Sequence, residues 1–201
     1  MRLYQKYVLP RLLESAMGTS EIEILRRDVL KGVSGVVLEI GVGPGHNLPI
    51  YRNILKLYAL EPSQELINIA RTRAQGLSFP VEFLKESAEN ISLADGSIDT
   101  VVSTWTLCSI PDPRVALKEI ARVIRPGGIF IFIDHGASPH ALIRAMQKIL
   151  TPITKYFTGN CHMDRDIEGL IREAGFRLRT VSHFYERSKP LMFNTQGTAM
   201  H

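Results

Sequence analysis

An apolar run, Val36-Val37-Leu38-Glu39-Ile40, leads into Gly41-Val42-Gly43-Pro44-Gly45, so an acid stands inside a strand end and alternating glycines follow it. Glycines at that spacing let a ligand approach the backbone closely, because no Cβ stands in the way. Between a first strand and a following helix, such a loop is the cofactor corner of an open α/β sheet. It is not a dinucleotide fingerprint, since His46 occupies the third-glycine position, and it is not a P-loop, since no Lys follows. A carboxylate at Glu39 sits badly beside a pyrophosphate and suits a cofactor carrying ammonium and sulfonium charges. Its burial in an apolar strand is costly without a positive partner. A second acid, Glu61, ends another apolar run, Leu57-Tyr58-Ala59-Leu60, ahead of Pro62 and Ser63. An acid there also complements the dipole of the helix that Ser63 begins.

Other reactive side chains are scattered. Cys108, Cys161, His135 and His162 lack the helical or turn spacing of a metal site, and no metal is expected. His135 and His162 are candidate bases near strand ends. Trp105 follows a strand at the end where such sheets bind ligands, and so reads equally as core or as an aromatic wall of a substrate pocket.

The elements that must position these groups follow from hydrophobic periodicity. Strands are predicted at 36–40, 57–60, 81–84, 98–104, 129–133, 177–185 and 191–199. Helices are predicted at 63–74, 113–124, 139–150 and 164–174, with a stop at Pro126-Gly127-Gly128 and another at Gly175. Before the first strand, Leu3, Tyr7, Leu12, Leu13 and Met17, then Ile22, Leu25, Val29 and Leu30, recur at helical spacing. Ser20 with Glu23 forms a capping-box pattern for the second of these helices. Alternating strands and helices imply a mostly parallel sheet covered on both faces, with the closing strand pair antiparallel. The expected architecture is one α/β domain over residues 1–201, a Rossmann-like doubly wound sheet of about seven strands. Within it, 1–34 form N-terminal lid helices, 35–135 the cofactor-binding core, and 136–201 the substrate-side helices and closing strands.

Composition narrows the function classes. The chain has 201 residues, 45% hydrophobic and 22% charged, which excludes a disordered, collagenous or coiled-coil protein. Two cysteines exclude a secreted disulfide framework, and a reducing, cytoplasmic setting is expected. No stretch approaches ~20 apolar residues, and the first seven residues hold no signal-peptide core. The net charge of +4 comes from basic residues placed singly, so no nucleic-acid partner is expected. The Leu3/Tyr7/Leu12 face reads as a lid over the cofactor, with peripheral membrane contact as the other reading. Nothing in the composition sets an oligomeric state.

Taken in order, these motifs resemble the class I S-adenosylmethionine-dependent methyltransferases of the type 11 kind. The likeness is carried by the glycine loop, Glu61, Glu86-Ser87-Ala88-Glu89, Asp95-Gly96-Ser97-Ile98-Asp99 and Arg122 through Gly128, over roughly residues 35–135. It implies S-adenosyl-L-methionine as cofactor and S-adenosyl-L-homocysteine as product. It also implies a cofactor set of Glu39, Gly41, Gly43, Gly45, Asn47, Glu61, Pro62, Ser87, Ala88 and Thr104, with Glu61 on the ribose hydroxyls. Ser87 stands where the family commonly has Asp beside the adenine amine. Asn47-Leu48-Pro49, Thr104 through Ile110 and Gly159-Asn160-Cys161-His162 further look like the alkyl-thiol methyltransferase branch. That narrower resemblance implies a small thiol acceptor in a pocket of Trp105, Cys108 and His162. The alternatives are a lipid-related acceptor, either a quinone precursor or a phospholipid amine, and a binding module without chemistry.

Overall fold

The computed structural model describes residues 8–186 and 189–201. Seven strands form one sheet: β1 (Gly35–Ile40), β2 (Ile54–Leu60), β3 (Val81–Leu84), β4 (Ile98–Thr104), β5 (Ile124–His135), β6 (Arg177–Glu186) and β7 (Lys189–Met200). Their order is β3-β2-β1-β4-β5-β7-β6. The first five pair in parallel, and β7 lies antiparallel between β5 and β6. This is the Rossmann-like, mostly parallel sheet with an antiparallel C-terminal strand that the alternation of elements implied. Strand order reverses between β1 and β4, which opens a crevice at their C-terminal ends.

Strand side chains alternate between the faces. Leu38 and Ile40 of β1 enter one apolar cluster with Phe130, Phe132, Ile120 and Ile171. Val37 enters a second, on the other face, with Tyr51, Leu57 and Val102. Glu39 shares the face of Val37, so its carboxylate is delivered into that second layer.

Among the described residues, six helices flank the sheet: α1 (Leu9–Met17), α2 (Ser20–Val29), α3 (Gln64–Arg73), α4 (Pro113–Val123), α5 (Ala141–Thr154) and α6 (Ile167–Glu173). Leu3 and Tyr7 of the expected N-terminal stripe lie outside the described residues. The cap of α2 is Thr19 rather than Ser20: its hydroxyl accepts Ile22 N, and Ser20 is the first helical residue. Ser63 caps α3 and Asp112 caps α4, with Pro113 in the first turn, as their sequences indicate. Ile124 leaves its helix to pair with Ile98, so β5 starts before Pro126-Gly127-Gly128 instead of after it. The glycine loop departs further, running into a three-residue 3-10 turn, Leu48–Ile50, rather than a full helix.

Two of the motifs form one structural clasp. Arg122 donates to Asp95 (2.6 Å), Glu119 (2.8 Å) and the carbonyls of Ile91 (2.7 Å) and Leu93 (2.9 Å), fastening α4 to the segment ahead of β4. Outside the sheet, α5 turns Leu142, Ile149 and Ile153 to solvent at 60–75% exposure. No helix among the described residues is long and apolar enough to cross a membrane.

Candidate active site

A cavity of about 1200 Å³ opens over the crevice at the C-terminal ends of β1 and β4. Single-ligand pockets run about 300–1000 Å³, so the space admits a nucleoside-sized cofactor and a small acceptor together. One side is the glycine loop and the end of β2; the other is built from the loop after β4, the end of β5, the segment following α5, and Glu186 and Met192 of β6 and β7.

Gly41 begins the loop at φ +66°, and a Cβ there would overlap the Thr106 side chain, so only glycine lets β1 and the post-β4 loop approach. Behind the loop lies a buried polar network. Asn47 donates to Glu39 (2.8 Å), and so does the Tyr51 hydroxyl (2.9 Å). Arg26, on the buried stripe of α2, donates to Asn47 Oδ1 (2.7 Å) and Thr104 Oγ1 (3.2 Å), and its guanidinium lies 4.9 Å from the Trp105 ring centre. Burial pushes Glu39 up to about 7, against the pull of Tyr51 and Arg26, and burial lowers Arg26 to about 10. The network is therefore a pinned scaffold that fixes loop, β4 and α2 in one geometry.

Three expected cofactor contacts, Glu39, Gly45 and Asn47, lie behind the cavity wall rather than on it. Glu39 is 1% exposed, with both oxygens engaged by protein donors, so its part here is to hold the loop. Gly41, Gly43, Glu61, Pro62, Ser87, Ala88 and Thr104 do line the cavity. Glu61 accepts one backbone N–H per oxygen, from Gly43 (3.1 Å) and Ser63 (3.0 Å). Each oxygen keeps a lone pair for a further donor. Ser87 gives its proton to Glu89 at 2.6 Å, so its oxygen faces the cavity as an acceptor polarised by a carboxylate.

On the far wall, Trp105 stands at φ +52°, an uncommon conformation for a bulky residue. It is held there by its N–H to Ile133 O (2.6 Å) and by indole Nε1 to Asn194 (2.9 Å). The wholly buried Asp134 accepts the backbone N–H groups of Thr106, Leu107, Cys108 and His135 within 3.1 Å, and so shapes the loop that carries Cys108. His162 N donates to Cys108 O (2.8 Å), which brings Cys161 beside Cys108. Cys108, Cys161 and His135 line the cavity; the His162 side chain does not. His135 contacts Glu186 through Nε2 (3.2 Å) and Cys161 through Nδ1 (3.5 Å). Burial opposes its charge, but Cys108 and Glu186 outweigh that and raise it to about 10. Burial lowers His162, with Arg165 adding to the effect. Neither histidine is placed as a free base: His162 is off the cavity and both ring nitrogens of His135 are engaged. The expectation of no metal rested on sequence spacing, whereas the fold gathers Cys108, His135 and Cys161 within 4.8 Å.

Arg26, Tyr51 and Asp134 were not singled out by their sequence. The available signals were an arginine four residues from both Ile22 and Leu30 on an apolar stripe, and an acid ending the apolar run of β5.

The family described as "Methyltransferase domain" matches residues 38–132. Rat thiol S-methyltransferase TMT1B is 31% identical over 187 residues, which cover 87% of this chain and 76% of that protein. Human TMT1B is 35% identical over 143 residues, covering 68% of this chain and 59% of its own length. The phosphatidylethanolamine N-methyltransferase of Cereibacter sphaeroides is 32% identical over 118 residues, 58% of each protein. Among solved structures, an S-adenosylmethionine-dependent methyltransferase from Aquifex aeolicus superposes with TM-score 0.70 at 22% identity, covering 95% of this chain and 97% of that one. The [4+2]-cyclase SpnF superposes with TM-score 0.77 at 18% identity, covering 99% and 93%.

Proposed function

We propose, from the premise that the chain belongs to the S-adenosylmethionine-dependent methyltransferases, that its acceptor is a small alkyl thiol. The observation that carries this reading is the character of the far wall. It presents Trp105, Cys108, Cys161, Met163 and Met192, an apolar and sulfur-rich surface, with His162 off the cavity and both ring nitrogens of His135 engaged. Methyl transfer from a sulfonium is an in-line displacement, so alignment supplies most of the rate, up to ~7–11 kcal/mol. A thiol near pKa ~8.5 ionises partly at neutral pH and needs little help, whereas an alcohol needs a strong base.

On the cofactor side, Glu61 is assigned to the ribose hydroxyls and Ser87 with Ala88 to the adenine edge. The rat and human relatives named as thiol S-methyltransferases support the thiol reading. A lipid-related acceptor is the second reading. It draws on the phosphatidylethanolamine relative and on Tyr156 and Phe157, which line the cavity while about 60% exposed. Product analysis with labelled S-adenosylmethionine decides between them. Alkyl thiols should yield thioethers and S-adenosylhomocysteine, at a rate that rises with pH as the thiol ionises. Product from a quinone precursor or a phospholipid amine, with none from thiols, would reverse the assignment; cofactor binding without turnover of any acceptor would leave a binding module.

A further inference from the structure

Three groups of metal-ligating type meet on the far wall from three separate parts of the chain. Cys108 follows β4, His135 ends β5, and Cys161 lies between α5 and α6. The two sulfurs are 3.3 Å apart, and Cys161 Sγ lies 3.5 Å from His135 Nδ1. Tetrahedral zinc, with bonds of about 2.3 Å to sulfur and about 2.0–2.1 Å to nitrogen, sets sulfurs about 3.8 Å apart and a sulfur–nitrogen pair about 3.5 Å apart. These two spacings come within about half an ångström of that geometry, and all three ligand atoms lie within 4.8 Å of one another.

The surroundings are those of an ion site as well. His135 Nε2 is 3.2 Å from Glu186 Oε1, the carboxylate–histidine arrangement that fixes the tautomer and aims the other nitrogen at a metal. Asp134 accepts both Cys108 N (3.1 Å) and His135 N (3.0 Å), so one buried carboxylate fixes the backbone of two ligands. The third is tied to the same loop by His162 N on Cys108 O (2.8 Å) and Asn160 Nδ2 on Ser109 O (2.8 Å). Both cysteines are free thiols, and all three ligand groups line the cavity.

We propose that Cys108, His135 and Cys161 form a three-ligand site for zinc or a similarly soft divalent ion, whose fourth position opens into the cavity and takes the acceptor as a thiolate. Three protein ligands with one open position is the pattern of a reactive zinc site rather than a structural one. The last part rests on the thiol reading above. An incoming thiol replaces a bound water and its proton passes to bulk solvent, because coordination deprotonates a thiol. The thiolate lone pair then forms the new carbon–sulfur bond, and the methyl–sulfonium bond breaks with its electrons left on the departing S-adenosylhomocysteine. The thioether is neutral and a poorer ligand than the thiolate, so it leaves and water returns.

The test is titration of chelator-treated protein, reduced with a phosphine, with cobalt(II) and separately with zinc(II). The expected result is one ion per chain, with visible tetrahedral cobalt bands and a thiolate-to-cobalt charge-transfer band. Cys108→Ser and Cys161→Ser should each lose the charge-transfer intensity, while Glu186→Gln should keep the bands and weaken affinity about 10- to 100-fold. An alkyl thiol should change the visible bands, and the matching alcohol should not. Unfolding midpoints of each variant separate ligand loss from misfolding. The site is overturned if wild type takes up no stoichiometric ion, whether its thiols stay titratable or pair as a disulfide, or if the bands persist when both cysteines are replaced. Thiol methylation by protein that binds neither ion would refute the site and leave the thiol reading standing. Cobalt bands that respond to alkyl thiol, with no thioether formed, would refute the thiol reading and keep the site.

Discussion

At the scale of single residues, Glu39 and Glu61 read alike in the sequence, as acids ending strands, and the structure gives them different work. Glu61 stands on the cavity with a lone pair to spare on each oxygen, so Glu61→Ala should weaken S-adenosylmethionine binding by about 1.5–3 kcal/mol, the range for a hydrogen bond to a charged group. Calorimetry reads this directly, and equal affinity in the variant would remove the ribose assignment. Glu39 is buried behind the loop, and its consequence is pH-dependent stability. Burial raises it to about 7 in the folded protein from an unfolded 4.5, so between those values the folded state holds more protons than the unfolded one. Its stabilising contribution is complete below the unfolded value and is lost as pH rises through about 7. The loss amounts to at most about 3 kcal/mol. Glu39→Gln cannot titrate, so chemical unfolding at pH 5 and pH 8 should show a smaller fall in stability than wild type. An identical fall in both proteins would mean that Glu39 titrates normally.

At the scale of elements, what was legible depended on how local the cause is. Val37-Leu38 and Phe130 through Ile133 are buried on both faces, and such apolar runs announce strands within a few residues. Ser63 announced a helix start through a side-chain cap that reaches only three residues, and Pro113 announced another from its place in a first turn. The partners of Glu39 were not legible, because Arg26 comes from α2 and Tyr51 from beyond the 3-10 turn, and nothing in either neighbourhood points to a strand acid. Cys108, His135 and Cys161 were illegible for the same reason, being brought together by sheet order and by the Cys108–His162 backbone bond. The N-terminal helix lies between these cases. Its apolar stripe implied a cover, and Leu12, Ala16 and Met17 do line the cavity, with Glu14 fixed by Arg73 at 2.8 Å. Removing residues 1–17 keeps Thr19 as the cap of α2, so the sheet should stay folded while the Michaelis constant for the acceptor rises. Unchanged kinetics together with lost liposome binding would make α1 a membrane contact rather than a lid.

At the scale of the whole molecule, the cavity is a junction rather than a feature of one element. Its walls come from α1, α2, the loops after β1, β2, β3 and β4, the start of α3, the end of β5, the segment after α5, and β6 and β7. A cofactor seated there bridges both sides of the strand-order reversal and should therefore stabilise the chain as a unit. Fold alone does not decide the ligand's chemistry, since a [4+2]-cyclase superposes as well as a methyltransferase does. The choice between cofactors rests on the site: there is no third glycine at His46, and the loop enters a 3-10 turn instead of a helix that would offer a dipole to a pyrophosphate. S-adenosylmethionine at about a hundredfold over its dissociation constant should add about 2.7 kcal/mol to folding. For a chain of this size that is a rise of about 5–10 °C in Tm, readable by calorimetry. NAD at equal concentration should leave Tm unchanged, and Glu61→Ala should lower the shift from S-adenosylmethionine at fixed ligand concentration. If NAD raises Tm while S-adenosylmethionine and S-adenosylhomocysteine do not, then the cavity is built for a dinucleotide, and the assignment of Glu61, Ser87 and Ala88 to a methyl donor fails with it.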